Sequence, residues 1–271
     1  MLITLLSLTA AALYISAGGL LARNLLATAS SSRREHGDLI LALATIGVIV
    51  HAGTLYSSTL NAGVLELGFT NAASLIAWVV AFLFLAAVFM TPIINLGTFV
   101  LPIAALAVLA AWWWPGSEDV RPQSATFGLH IAISVLAYAF LALAMFQAIL
   151  LWIQERHLHT RHPARLLAML PPMQTMETLL LQLIVVGYTL LSITLITGLF
   201  FSKQIFGSPL MFNHHTVLSV LAWVIFGTFL IGHWRLGWRG RSAVRWTIGG
   251  FVVLGLAYFG TKFVFEFILE H

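Results

Sequence analysis

The sequence predicts an all-α, polytopic membrane protein with about eight transmembrane helices in a single domain, residues 1–271. Three observations carry that expectation. Of the residues, 60% are hydrophobic and 8% are charged, whereas a soluble domain averages about 25% charged. Apolar runs of about 18 residues or more recur along the whole chain, each long enough to cross roughly 30 Å of hydrocarbon. The basic residues gather in the short connections between runs, where they set topology rather than fold.

Taken in order, the spans fall at about 2–22, 38–57, 69–90, 93–113, 127–153, 178–201, 215–233 and 244–267. The first lacks a basic segment before it and its first arginine, Arg23, follows it; although Ala27-Thr28-Ala29 resembles a signal-peptidase site, the span is expected to stay. Arg23, Arg33, Arg34, Arg156, Arg161, Arg165, Arg235, Arg239, Arg241 and Arg245 then lie on one side, and Arg121, Lys203 and Lys262 on the other, which accounts for all 13 Lys and Arg residues. The positive-inside rule therefore puts both termini outside, on the periplasmic side of a bacterial inner membrane, with the chain passing through it many times. Trp112, Trp113 and Trp114 close the fourth span as part of an interfacial aromatic belt, and Ala42, Ala44, Gly47, Gly187 and Gly198 let helices approach closely.

Several function classes drop out. The net charge of +4 belongs to topology-setting turns, so no nucleic-acid partner is expected, while membrane lipids are. With 0 cysteines, the chain has neither disulfides nor thiolate metal sites nor thiol-redox chemistry of its own. No nucleotide-binding loop, HExxH motif, nucleophile elbow or intramembrane carboxylate pair occurs, and an enzymatic role is not expected. Asp38, Glu177 and Glu266 all lie near span ends, which weakens an ion-pump reading.

The polar chemistry is in the histidines, of which there are 10. His36, His157, His159 and His162 lie among arginines on the inner side, where solvation suffices. His51 sits about fourteen residues into the second span, roughly 20 Å along it at 1.5 Å per residue. His130 opens the fifth span, His214 and His215 open the seventh, and His233 closes it. An ionisable group inside a membrane is a functional candidate, and neutral imidazole is a common ligand for metals, including haem iron. Helical stepping puts His130 on a face with Ser134, Tyr138 (or Ala137), Leu141 and Met145, and His215 on one with Ser219, Trp223 (or Ala222) and Phe226. Such faces suit a slot for a planar macrocycle and equally suit ordinary helix packing. For His51 the plain alternative is a hydrogen bond to a neighbouring Ser or Thr.

Several segments share a likeness: Leu129 to Ala139, Pro171 to Glu177, Thr197 to Phe200, Val217 to Trp223, Gly232-His233, Gly237 to Arg241, and Ala257 to Gly260. Over about residues 40–265 the chain resembles the cytochrome c assembly family of haem-handling membrane proteins, the CcsA/CcmC-like group, and within it the YpjD-type bacterial inner-membrane branch. The resemblance implies a b-type, non-covalently held haem ligated by histidines from different helices, and cytochrome c maturation proteins or another membrane protein as partners. It matches His130 to an outer ligand before a tryptophan-rich loop, His233 to the transmembrane histidine after it, and His51 to a partner within the membrane. His271 stands near the place of a second outer ligand. The loop from Ser202 to Asn213 departs from the pattern, because it contains no tryptophan.

The expected function is therefore a haem-binding membrane protein related to cytochrome c assembly. Its cofactor-binding candidates are His51, His130, His214, His215 and His233, with His130 and His215 as axial ligands to iron. The alternatives are a non-catalytic membrane scaffold or regulatory subunit with a degenerate haem site and, after it, a small-molecule transporter.

Overall fold

The computed structural model describes residues 1–26, 33–58, 60–61, 64–116, 119–120, 125–158, 170–206 and 214–264. Ala27-Thr28-Ala29, His159, His162, Glu266 and His271 lie outside the described residues, as does most of the loop before the seventh span. Within them, eight helices are long and apolar enough to cross a membrane, from Leu2–Asn24 to Arg241–Gly260. These match the eight expected spans to within a few residues at most ends. The reason is that lipid offers no backbone partner, so each apolar run must bond itself as a helix. The chain is a polytopic helical membrane protein.

The helices gather into two compact units. The first holds residues Met1–Arg121 and Gln154–Pro172, the second Pro122–Ile153 and Met173–His271.

The first unit contains α1 (Leu2–Leu26), α2 (Arg33–Ser58), α3 (Phe69–Val88) and α4 (Gly97–Trp113). Helix α1 packs on α2 and α4, and α3 on α4 and α2. Glycine makes those approaches possible. A Cβ on Gly47 would stand 3.0 Å from the Tyr14 ring, and one on Gly18 2.9 Å from Cδ of Pro102, the proline inside α4. This is packing by small residues, as expected where lipid supplies no hydrophobic drive between helices. Side-chain hydrogen bonds add to it: Trp78 Nε1 donates to the Val48 carbonyl (2.9 Å) and Trp112 Nε1 to Thr4 Oγ1 (3.3 Å). Trp113 and Trp114 stay largely exposed, as an interfacial anchor requires.

Sequence did not reveal a small antiparallel sheet, β1 (Leu60–Asn61), β2 (Val64–Glu66) and β3 (Asp119–Val120), in the order β1-β2-β3. Its register, Leu65 opposite Val120, ties the α2–α3 connection to the chain after α4 at one end of this unit. Strands of two or three residues are too short to show any alternation of polar and apolar positions.

The second unit contains α5 (Ala125–Leu158, of which residues through Ile153 belong here), α6 (Met173–Phe206), α7 (His214–Leu236) and α8 (Arg241–Gly255). Helix α8 runs on through a π-helical turn, Leu256–Gly260, into α9 (Thr261–Val264). Gly187 lies against Leu141, where a Cβ would meet the leucine at 2.7 Å, and Gly250 lies against Phe226 at 2.9 Å. Between α7 and α8, Gly237 (φ 67°) bonds back from its N–H to the His233 carbonyl at 3.1 Å. That is the left-handed cap which glycine adopts at little cost. The turn is held from α6 by Glu177, whose Oε1 accepts the Gly240 N–H at 2.9 Å.

Candidate functional site: the histidine end of the second unit

Four helix ends meet at one end of this unit: the starts of α5 and α7 and the ends of α6 and α8. His130 stands near the start of α5, half-buried. Its Nδ1 lies 2.7 Å from Thr197 Oγ1 on α6. The Thr197 hydroxyl also bonds the Ile193 carbonyl of its own helix at 2.8 Å. A hydroxyl has one proton, and a carbonyl can only accept. With that proton on the Ile193 bond, Thr197 accepts from His130, and the imidazole carries its hydrogen on Nδ1. The lone pair is then on Nε2. A ring nitrogen fixed by a hydrogen bond so that the other can ligate is the usual arrangement behind a metal-binding histidine. Gly198 lies beside the ring, where a Cβ would be in ordinary contact with His130 Cε1 at 3.6 Å. One turn on, Ser134 Oγ donates to the His130 carbonyl at 2.7 Å and reaches Thr194 at 3.5 Å.

His215 opens α7 beside this group. Its ring meets the Tyr258 ring edge-on at 6.1 Å between centroids, and it is within electrostatic range of both His130 and Lys262. Tyr258 belongs to the π-helical turn and touches the Tyr138 ring at 6.0 Å. Tyr138, on the expected face of α5 two turns below His130, donates its hydroxyl to the Leu254 carbonyl at 2.9 Å. Lys262 Nζ sits 5.2 Å from the Tyr258 ring centroid, a cation–π contact. His215 and His214, its neighbour in the chain, are both exposed.

The remaining histidines are held differently. His51 is 0% exposed, inside the first unit. Its Nδ1 faces Tyr14 Oη at 3.3 Å and its Nε2 faces Ser74 Oγ at 2.9 Å. Both ring nitrogens are engaged, which is the arrangement of a satisfied core histidine. His233 Nδ1 donates to the Trp238 carbonyl at 2.8 Å, across the α7–α8 turn that it caps. Since a carbonyl only accepts, this ring too carries its hydrogen on Nδ1. His233 lies with the basic turn, at the end of the unit away from His130.

Haem needs imidazole nitrogen for its iron, apolar or aromatic surface for its ring and positive charge for its carboxylates. His130, His215, Tyr258, Tyr138 and Lys262 supply those types together, so the donor set fits the group. Among the described residues no cluster of three or more His, Asp or Glu side chains forms a cage for a bare metal ion. Sequence reasoning missed Thr197, Tyr258 and Lys262 as members of this group. The segments containing Thr197 and Tyr258 were part of the family likeness, but Lys262 had entered only as a topological charge.

Comparison with known proteins agrees with that likeness. An uncharacterised 28.8 kDa protein from the nifR3-like 5′ region of Azospirillum brasilense is 38% identical over 141 residues, which is 52% of each chain. Inner membrane protein YpjD of Escherichia coli K12 is 36% identical over 180 residues, 64% of this chain and 67% of that one. Cytochrome c biogenesis protein CcsA of Gloeobacter violaceus is 28% identical over 91 residues, 34% of this chain and 27% of that one. The match thus spans about half the length of the first relative. The family model for the cytochrome c assembly protein covers residues 39–269, which leaves out the first span, and the chain belongs to that family.

Proposed function

We propose that this is an inner-membrane haem-binding protein of cytochrome c assembly, holding a b-type haem at the His130–His215 end of its second unit. The observation that carries the reading is the His130–Thr197 bond at Nδ1, which, with the threonine proton on the Ile193 carbonyl, directs ligation to Nε2. His215, or its neighbour His214, would give the iron a second imidazole. With 0 cysteines the chain has no side chain to attach haem by thioether bonds, so the group is held by ligation and packing. Bound there, haem would supply a redox-active iron; the protein's part is to fix the imidazoles, cover the ring with Tyr258 and Tyr138, and keep water from it. The inner-membrane placement draws on the name of the Escherichia coli relative, and the outward orientation of both termini on the basic residues of the inner turns.

The test is an absorption spectrum of the protein purified in detergent, as isolated and after adding haem. A Soret band that shifts or disappears in His130→Ala supports the reading. Protein that stays colourless with added haem ends it.

A second reading has its own support. The loop from Ser202 to Asn213 lacks tryptophan, the residue through which family members present haem to apocytochrome. A membrane scaffold that regulates a partner, with its ancestral haem site degraded, would show this pattern. Co-purification of a stoichiometric membrane partner without pigment favours it.

A further inference from the structure

We propose that the Lys262 ammonium is the counter-charge for the carboxylate side chains of the planar ligand, and that the π-helical turn before it exists to put that charge beside His215. The inference rests on the haem reading above and goes further, from the iron to the periphery of the macrocycle.

Haem carries two propionates, and a carboxylate brought into a medium of low dielectric is costly unless a cation meets it. The histidines deal with the iron and leave those carboxylates unaccounted for. Among the residues whose side chains are described at this end of the unit, Lys262 is the lysine or arginine present; Arg235, Arg239, Arg241 and Arg245 belong to the opposite end. Its position is built rather than incidental. Nζ lies 5.2 Å from the centroid of Tyr258, the ring that also stands against His215 at 6.1 Å and Tyr138 at 6.0 Å. One aromatic side chain thus connects the cation to an imidazole on α7 and to the helix of His130.

The backbone supports this. Leu256–Gly260 is π-helical, with Tyr258 at its centre and Lys262 two residues beyond it. Such turns are rare and concentrate at functional sites, because they cost helix geometry and redirect the side chains that follow. Here the turn is braced from α5: Tyr138 Oη donates to the carbonyl of Leu254, two residues before it. An isolated anchoring lysine at a helix end would need none of this.

The chemistry distinguishes this role from a general need for positive charge, because the propionates can be masked without touching the ring or iron. The experiment titrates the purified full chain in detergent with ferric haem and with its dimethyl ester, following the Soret band. In Lys262→Met the dissociation constant for haem is expected to rise about ten-fold, the size of one charge-assisted contact. That for the ester should stay unchanged, and Lys262→Arg should restore haem binding. Equal affinities of wild type and Lys262→Met for haem overturn the role of Lys262 while leaving the haem site standing. So does an equal loss for both ligands, which would mean that the lysine acts through the fold. If wild-type protein gives no Soret change with either ligand, the haem reading and this inference fall together.

Discussion

Thr197 Oγ1 and His130 Nδ1 are 2.7 Å apart, and with the threonine proton on the carbonyl of its own helix the pair puts the imidazole hydrogen on Nδ1. Two helices are needed for this: α5 brings the ring, and α6 decides its state. In Thr197→Val the acceptor is lost while the volume is kept. The ring can then turn, or change tautomer, and haem affinity should fall about 10–100-fold, the usual effect of removing a ligand's supporting hydrogen bond. Titration of the variant with haem measures it; an unchanged affinity would dissociate Thr197 from ligation.

His51 should behave in the opposite way. Replacing it by leucine leaves Tyr14 Oη and Ser74 Oγ facing an apolar side chain in a buried place. The cost is about 1–3 kcal/mol per unsatisfied group, visible as a lower melting temperature in detergent. The Soret band, by contrast, is expected to stay as in wild type. A lost band with normal stability would show His51 to be a ligand after all.

The α7–α8 turn offers a test of backbone geometry. Gly237 has φ 67° with nothing within 4 Å of where a Cβ would lie, so Gly237→Ala meets no clash and isolates the conformational cost. That cost is about 1–2 kcal/mol for a left-handed residue with a side chain. Glu177→Ala removes the acceptor of the Gly240 N–H and should cost about 1 kcal/mol. Thermal unfolding reads both, and limited proteolysis at the Arg-rich turn should become faster in each.

Two glycines should separate packing from propensity. A Cβ at Gly187 would meet Leu141 at 2.7 Å, whereas at Gly249 nothing lies within 4 Å. Gly187→Val should therefore destabilise the α5–α6 packing by about 1–3 kcal/mol. Gly249→Ala, within α8, should be neutral or stabilising by up to about 1 kcal/mol. Paired melting curves decide it, and a Gly187→Val protein as stable as wild type would mean that the two helices can move apart freely.

The spans could be read almost to the residue, because a long apolar run in lipid has one way to satisfy its backbone. The side-chain partners were harder. Tyr138 was legible on the face of His130, since that follows from helical stepping alone. The Ser74 contact of His51 fitted the expectation of a neighbouring hydroxyl, but Tyr14, 37 positions earlier, did not announce itself. Pairings of that kind depend on which helices adjoin, and periodicity within one helix does not carry this. The likeness to Thr197–Phe200 pointed to residues that matter without saying why; the Thr197 hydroxyl on His130 supplies the reason. Tyr258 and Lys262 were hidden by the π-helical turn, because stepping at 3.6 residues per turn gives the wrong faces beyond it.

That turn makes the length of α8 a variable in its own right. Each residue of an α-helix turns the chain by about 100°, whereas a single π-turn takes up one extra residue without rotating the helix beyond it. Deleting one residue from Leu256–Gly260 would therefore relax the turn to ordinary helix and leave Lys262 facing as before. The same deletion elsewhere in α8 would swing everything after it to a new direction, and could keep every histidine while presenting the terminal lysine to lipid. The position of a gap in this helix therefore reports on ligand choice where the identities of the aligned residues would not.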